Sequence, residues 1–86
     1  MKVNLPTPLV DYTDGQRDVS AEGNTLDELL HDLDSQYPGI RFRMIDEQGN
    51  VRAHIKLFVD RELQRNLHFV LTPRSEVMIV AALSGG

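Results

Sequence analysis

The chain has 86 residues with no Cys and no Trp, 41% hydrophobic and 26% charged, a size that supports one small core and leaves little for a deep, walled active site. A self-contained enzyme is therefore not expected, and without thiols there is no disulfide framework, no cysteine-held zinc or iron–sulfur centre and no Cys nucleophile. The formal charge of −4 argues against a nucleic-acid partner, and the absence of a signal-like N-terminus or a long apolar run argues against a membrane and for a cytoplasmic protein.

The charge is unevenly spread. Ten carboxylates, from Asp11 to Glu47, face four cations in residues 1–50, whereas Arg52, Lys56, Arg61, Arg65 and Arg74 outnumber Asp60, Glu62 and Glu76 beyond them. Such polarity suits a protein partner, although a solvated face is the commoner cause.

In chain order, Val3 and Leu5 alternate with Lys2 and Asn4 as a first strand. After the Asp14-Gly15 turn, Arg17 to Ala21 reads as a second, with Val19, Arg17 and Ala21 on one side, completing an N-terminal hairpin. Residues 25–37, TLDELLHDLDSQY, carry Leu26, Leu29, Leu30, Leu33 and Tyr37 at helical spacing. Thr25 with Glu28 forms a capping box at the helix start, and Pro38-Gly39 ends it. Arg41 to Glu47 is irregular, Gly49-Asn50 turns, and HIKLFVD alternates, with Ile55, Leu57 and Val59 on one face. Asp60-Arg61-Glu62 reads as a hairpin connection, Leu63 to Leu71 as a short strand or irregular segment, and Thr72 to Ser75 as another turn.

The last strand, Glu76 to Leu83, is apolar almost throughout, which predicts a central position with both faces at least partly shielded. The order β-β-α-β-(β)-β, with first and last strands as a parallel central pair, is a β-grasp arrangement. The expected class is α+β: a mixed sheet of four to five strands on one main helix, spanning residues 1–83. Residues 84–86 follow as a flexible Gly-Gly tail. Strand parity puts Val3, Leu5, Ile55, Leu57, Val59, Val77, Ile79 and Ala81 toward the helix. Lys2, Asn4, Lys56, Phe58, Met78 and Val80 then face away, and Lys56, Phe58, Met78 and Val80 form a candidate partner surface. Cover by residues 63–71 or by a second copy is the alternative.

The chain closes on Leu83-Ser84-Gly85-Gly86. With glycine near 7% of residues, a chance terminal Gly-Gly occurs roughly once in two hundred chains. Glycines lack Cβ atoms, so such a tail can enter a channel that side chains would block. Its carboxylate, with a reference pKa of about 3.5, is ionised at neutral pH and can attack the α-phosphate of a nucleotide held by another protein. Gly86 would then be the substrate.

These features together resemble the ubiquitin-like sulfur carriers: the molybdopterin synthase small subunit and the carriers of the thiamine and cysteine pathways. Pro6-Thr7-Pro8-Leu9, Tyr12 to Gln16, Tyr37 to Arg41 and Asp46 to Gly49 look most like the branch used for cysteine synthesis and thiocarboxylate-dependent secondary metabolites. The resemblance implies that a ubiquitin-activator-like enzyme uses ATP and Mg²⁺ to adenylate Gly86, with no cofactor held by the carrier itself. A sulfurtransferase then supplies sulfur to give a Gly86 thiocarboxylate, and a sulfur-accepting synthase and a metalloprotease-like hydrolase act downstream. Gly85 lets the tail thread, and Ser84 and Leu83 line its exit. Where the family commonly has Val-Asn-Gly/Asp-Glu and Asp-Gly-Asp, this chain has Val59-Asp60-Arg61-Glu62 and Pro73-Arg74-Ser75-Glu76, so differently shaped loops are expected there.

Two other function classes stay open at this point: a ubiquitin-like modifier joined to lysines through Gly86, and a plain β-grasp interaction domain. His31, His54 and His68 lack metal-ligand spacing, so no metal or general-base role is assigned to them. Asp32 and Asp34 read as solvated helix charges.

Overall fold

A computed structural model describes residues 1–82; the tail assignments on Leu83, Ser84, Gly85 and Gly86 lie outside the described residues. Five strands, β1 (Lys2–Asn4), β2 (Asp18–Ser20), β3 (Ile55–Val59), β4 (Glu62–Gln64) and β5 (Val77–Ala81), form one sheet in the order β2-β1-β5-β3-β4. β1 and β5 are the parallel central pair, with Val3 beside Val77, and the other pairings are antiparallel. One main helix, α1 (Leu26–Gln36), covers one face, so the sheet, helix and central pair are those expected of a β-grasp.

The helix forms where its local signals place it. Leu26, Leu29, Leu30 and Leu33 are fully buried on one stripe, against Val3, Leu5, Ile55, Leu57, Val59, Val77 and Ile79 of the sheet. Thr25 Oγ1 accepts from Glu28 N–H (3.2 Å), but the Glu28 carboxylate reaches one residue further back, to Asn24 N–H (2.9 Å). Two of the N–H groups that this box does not reach bond to carbonyls of the segment after β4: Leu26 N–H to Phe69 O and Asp27 N–H to Leu67 O (3.1 and 2.9 Å). Residues 65–71 therefore serve the helix start and send Leu71 into the core.

At the other end, Asp34 is no mere solvated charge. Its Oδ1 accepts from Gly39 N–H and Arg41 N–H (3.1 and 3.0 Å), while Asp32 Oδ2 accepts from Glu22 N–H (2.9 Å) and Gln36 Nε2 (3.1 Å). Both acids on the outward helix face bind backbone that sequence spacing alone does not bring near.

Three further elements differ from expectation. The connection between β1 and β2 is not a tight hairpin turn but a 3₁₀ helix over Thr7–Thr13, which buries Leu9 and Thr13. The second strand is shorter than Arg17 to Ala21: Val19 and Ala21 are buried, but Arg17 is exposed, with a guanidinium nitrogen 2.7 Å from Thr7 Oγ1. Residues 41–47, irregular by pattern, begin with a 3₁₀ turn, Arg41–Arg43, and bury Met44 and Ile45.

The turns that depart from the family pattern also resolve. The β3–β4 connection is two residues, with Glu62 already paired to Val59, and both Asp60 (φ 49°) and Arg61 (φ 74°) sit in the left-handed region despite having neither Gly nor Asn. Two hydrogen bonds hold it there, Asp60 N–H to Glu76 O (2.9 Å) and Glu76 N–H to Asp60 Oδ1 (3.0 Å). At Thr72–Ser75 no positive φ occurs; the buried Ser75 hydroxyl accepts from Thr72 N–H (2.9 Å) and closes the turn.

Gly23 is required by space rather than by φ. A Cβ added there would lie 2.4 Å from Leu29 N and 2.8 Å from Glu28 C, both backbone atoms of the helix. Gly23→Ala must therefore push the helix start off the sheet, and we expect a loss of about 1–3 kcal/mol, read as a lowered urea midpoint. An unchanged midpoint would show that the segment before α1 yields freely.

Candidate functional site

Two features meet at the end of β5. The first is the exit of the chain from the sheet. Ile55 is paired with Ala81, and Ala82 N–H donates to His54 O (2.7 Å), so the β3–β5 ladder runs to the last described residue and delivers the chain beside His54. β1 pairs with the start of the strand, at Val77 and Met78, whereas β3 pairs along its whole length, so the exit end is held by β3.

The second is the sheet face opposite α1. Along β3 and β5 the inward side chains are buried and the outward ones are not, as parity predicts: Lys56 is exposed, Phe58 half-buried, and Met78 and Val80 are 40% and 36% exposed. The expectation that both faces of β5 are at least partly shielded holds, the outer one being covered far less completely than the inner one. Register gathers the apolar members, since Phe58 stands across from Met78 and Lys56 across from Val80. Cross-strand neighbours at this spacing share one surface.

Sequence reasoning missed one member of the patch. Leu63, 41% exposed, is paired with Phe58 on the side away from β5. Its place follows from the two-residue turn at Asp60-Arg61; taking Glu62 into the turn hides it. The proposed cover by residues 63–71 does not occur, because after β4 this segment crosses to the helix start. Polar neighbours complete the face, Asn4 lying across from Met78 and bonded through Nδ2 to Asp18 Oδ1 (2.9 Å).

The histidines are dispersed. His31 Nδ1 lies 2.8 Å from Asp27 O on the exposed helix face, His54 is exposed just before β3, and His68 is exposed after β4. Among the described residues no three His, Asp or Glu side chains gather around a common point, and no helix is long and apolar enough to cross a membrane. Of the residues singled out from sequence, the structure brings Lys56, Phe58, Met78 and Val80 together on one face whose upper border is the chain exit.

Comparison with known proteins fits this geometry. The model of the ThiS family matches residues 3–86. The sulfur carrier protein CysO of Mycobacterium tuberculosis is 34% identical over 89 residues, covering 98% of this chain and 96% of its own. The crystal structure of M. tuberculosis CysO superposes with a TM-score of 0.90 at 32% identity, over 95% of this chain and 98% of that one. A crystal structure of the BexX/CysO complex of Amycolatopsis orientalis gives a TM-score of 0.89 at 28% identity, over 99% and 98% of the two chains. With its β-grasp sheet, its Leu-striped helix and a family match that runs through Gly86, this chain belongs to the ThiS family.

Proposed function

We propose that this protein is a sulfur carrier of the CysO kind, a protein cosubstrate rather than a catalyst, with Gly86 as its reactive residue. The observation that carries the reading is the likeness to CysO over nearly the whole of both chains, ending here in Gly85-Gly86. A ubiquitin-activator-like partner binds ATP and Mg²⁺. An oxygen of the Gly86 carboxylate attacks the α-phosphorus, pyrophosphate leaves, and the acyl-adenylate forms. Sulfide-level sulfur from a sulfurtransferase then attacks the carbonyl carbon and expels AMP, leaving a thiocarboxylate. The thiocarboxylate sulfur is the nucleophile that a synthase uses, with cysteine formation as the favoured destination.

The chain's own residues supply placement. β5 lies between β1 and β3 in the sheet, and its last described residue, Ala82, is bonded to His54 O. The face bearing Phe58, Leu63, Met78 and Val80 offers an apolar docking area next to that exit, and desolvated aromatic and Met side chains are the usual anchors of such contacts. Absence of Cys elsewhere leaves no competing thiol for activated sulfur.

The test is intact mass. Co-expressed with the adenylating enzyme and sulfurtransferase of the same genome, the chain is expected to yield a species with one oxygen replaced by sulfur, located to Gly86 by fragmentation. Lysine-linked ladders without that species would instead identify a protein modifier and end the carrier reading.

A further inference from the structure

Beside the docking face, at the same strand end, is a cleft of about 390 Å³ whose walls include Phe42, Arg43, Arg52, His54 and Ala81. Among the described residues no carboxylate lines it, in a chain with 13 acids against 9 Lys and Arg. The two guanidiniums are oriented from within. Arg43 Nε donates to Tyr12 Oη (2.8 Å), and Arg52 Nε donates to Phe42 O (2.8 Å) while its guanidinium lies 4.7 Å from the Phe42 ring centroid. Neither has a carboxylate partner among the described residues, and their Nη atoms make no hydrogen bond there. Each Arg is thus held through Nε, which leaves its two Nη atoms without a partner among the described residues, the pair that can fork onto a carboxylate.

A second cleft that shares Ala81, lined by Arg17, Met78 and Val80 among others, also has no acidic wall among the described residues and runs into the apolar face. The chain exit is therefore ringed by Arg17, Arg43, Arg52 and His54, continuous with the docking surface. We infer that the Arg43–Arg52 cleft receives an acidic segment of the enzyme that accepts the tail, steering that enzyme onto the exit and fixing its register. A bare anion would leave Phe42, 57% exposed, uncovered; a peptide supplies both carboxylates and apolar atoms for the ring. The inference rests on the carrier reading only in assuming that an enzyme takes the tail.

Two measurements test it. In the first, the ¹⁵N-labelled full chain is titrated with hexaglutamate and, at equal charge, with sodium phosphate. Hexaglutamate should shift Phe42, Arg43, Arg52 and His54 and leave Arg61 and Arg74 nearly still, and the shifts should vanish in R43Q/R52Q. Equal shifts at the distant arginines, or the same shifts from phosphate, overturn the inference. In the second, ATP–pyrophosphate exchange is followed with the adenylating enzyme of the same genome. R43Q/R52Q should raise KM for the carrier about tenfold with kcat held, and abolish most of the fall in kcat/KM between about 50 and about 300 mM NaCl. R43K/R52K, which keeps the charge, should recover most of the KM and guards against a folding defect in the glutamine variant. Unchanged KM and salt dependence would refute the proposal. If the wild-type chain itself supports no exchange, the carrier reading falls, and the titration still decides the cleft.

Discussion

Deleting Gly85 and Gly86 should reduce ATP–pyrophosphate exchange by the adenylating enzyme to background while leaving the melting temperature where it is. Among the described residues the packed core runs from Val3 to Ile79, and the two deleted glycines carry no side chain to pack. The chemistry, by contrast, depends on the position of one carboxylate. Each residue advances an extended chain by about 3.5 Å, and misplacing a reacting group by about 1 Å already costs on the order of a hundredfold in rate. A carboxylate withdrawn by two residues cannot reach the α-phosphate. Gly85→Val gives a graded version, since the chain keeps its length but gains a β-branched side chain where a narrow channel is expected. Persistent exchange by the truncated protein would move the reaction away from the C-terminus and remove the basis for the carrier assignment.

A second large effect should separate two neighbours on β3. Leu57, 1% exposed and paired with Ile79, points into the core, and Leu57→Ala is expected to cost about 2–5 kcal/mol. In a domain of this size that lowers Tm by more than about 10 °C. Phe58, one residue on, points to the open face. Phe58→Asp forfeits only its cross-strand contacts with Met78 and Leu63, roughly 1 kcal/mol, and should leave a cooperative transition. Its cost should appear instead in association with the adenylating enzyme, where loss of a central anchor weakens binding by about thirtyfold or more. Calorimetric melts paired with a binding titration read both effects. If Phe58→Asp unfolds the protein, the two sheet faces have been interchanged; if it folds and binds as before, the apolar face is not the docking surface.

The features legible in the sequence are those whose cause is local. The Thr25 and Glu28 pair, the Leu stripe and Pro38-Gly39 each act within a few residues, so the helix is found almost residue for residue. Alternation along HIKLFVD is likewise local, and it places Phe58 and Lys56 correctly on the open face. The 3₁₀ helix at Thr7–Thr13 has no comparable signal: Pro6 before it, Pro8 within it and a single buried Leu look like a loop until the rest of the core closes over Leu9. Asp34 and Asp32 likewise look like surface charge, because the backbone N–H groups they accept from arrive only when the chain folds around them.

The apolar last strand shows the division most sharply. Its composition pointed to a central β5 that carries one face of the core, and there Val77 and Ile79 are buried and Ala81 half-buried. Whether the other face was covered could not be read from those residues, because apolar content is a property of the strand and shielding is a property of what lies above it. Tertiary structure decided that question when residues 65–71, instead of capping the sheet, bonded to N–H groups of the helix start. Sequence alone likewise provided the Gly-Gly terminus, whose chemistry needs no side chain. Only the fold set Phe58, Leu63, Met78 and Val80 on one surface, and Arg43 and Arg52 in a cleft at its border, because pairing register and long-range packing bring together residues that the chain keeps far apart.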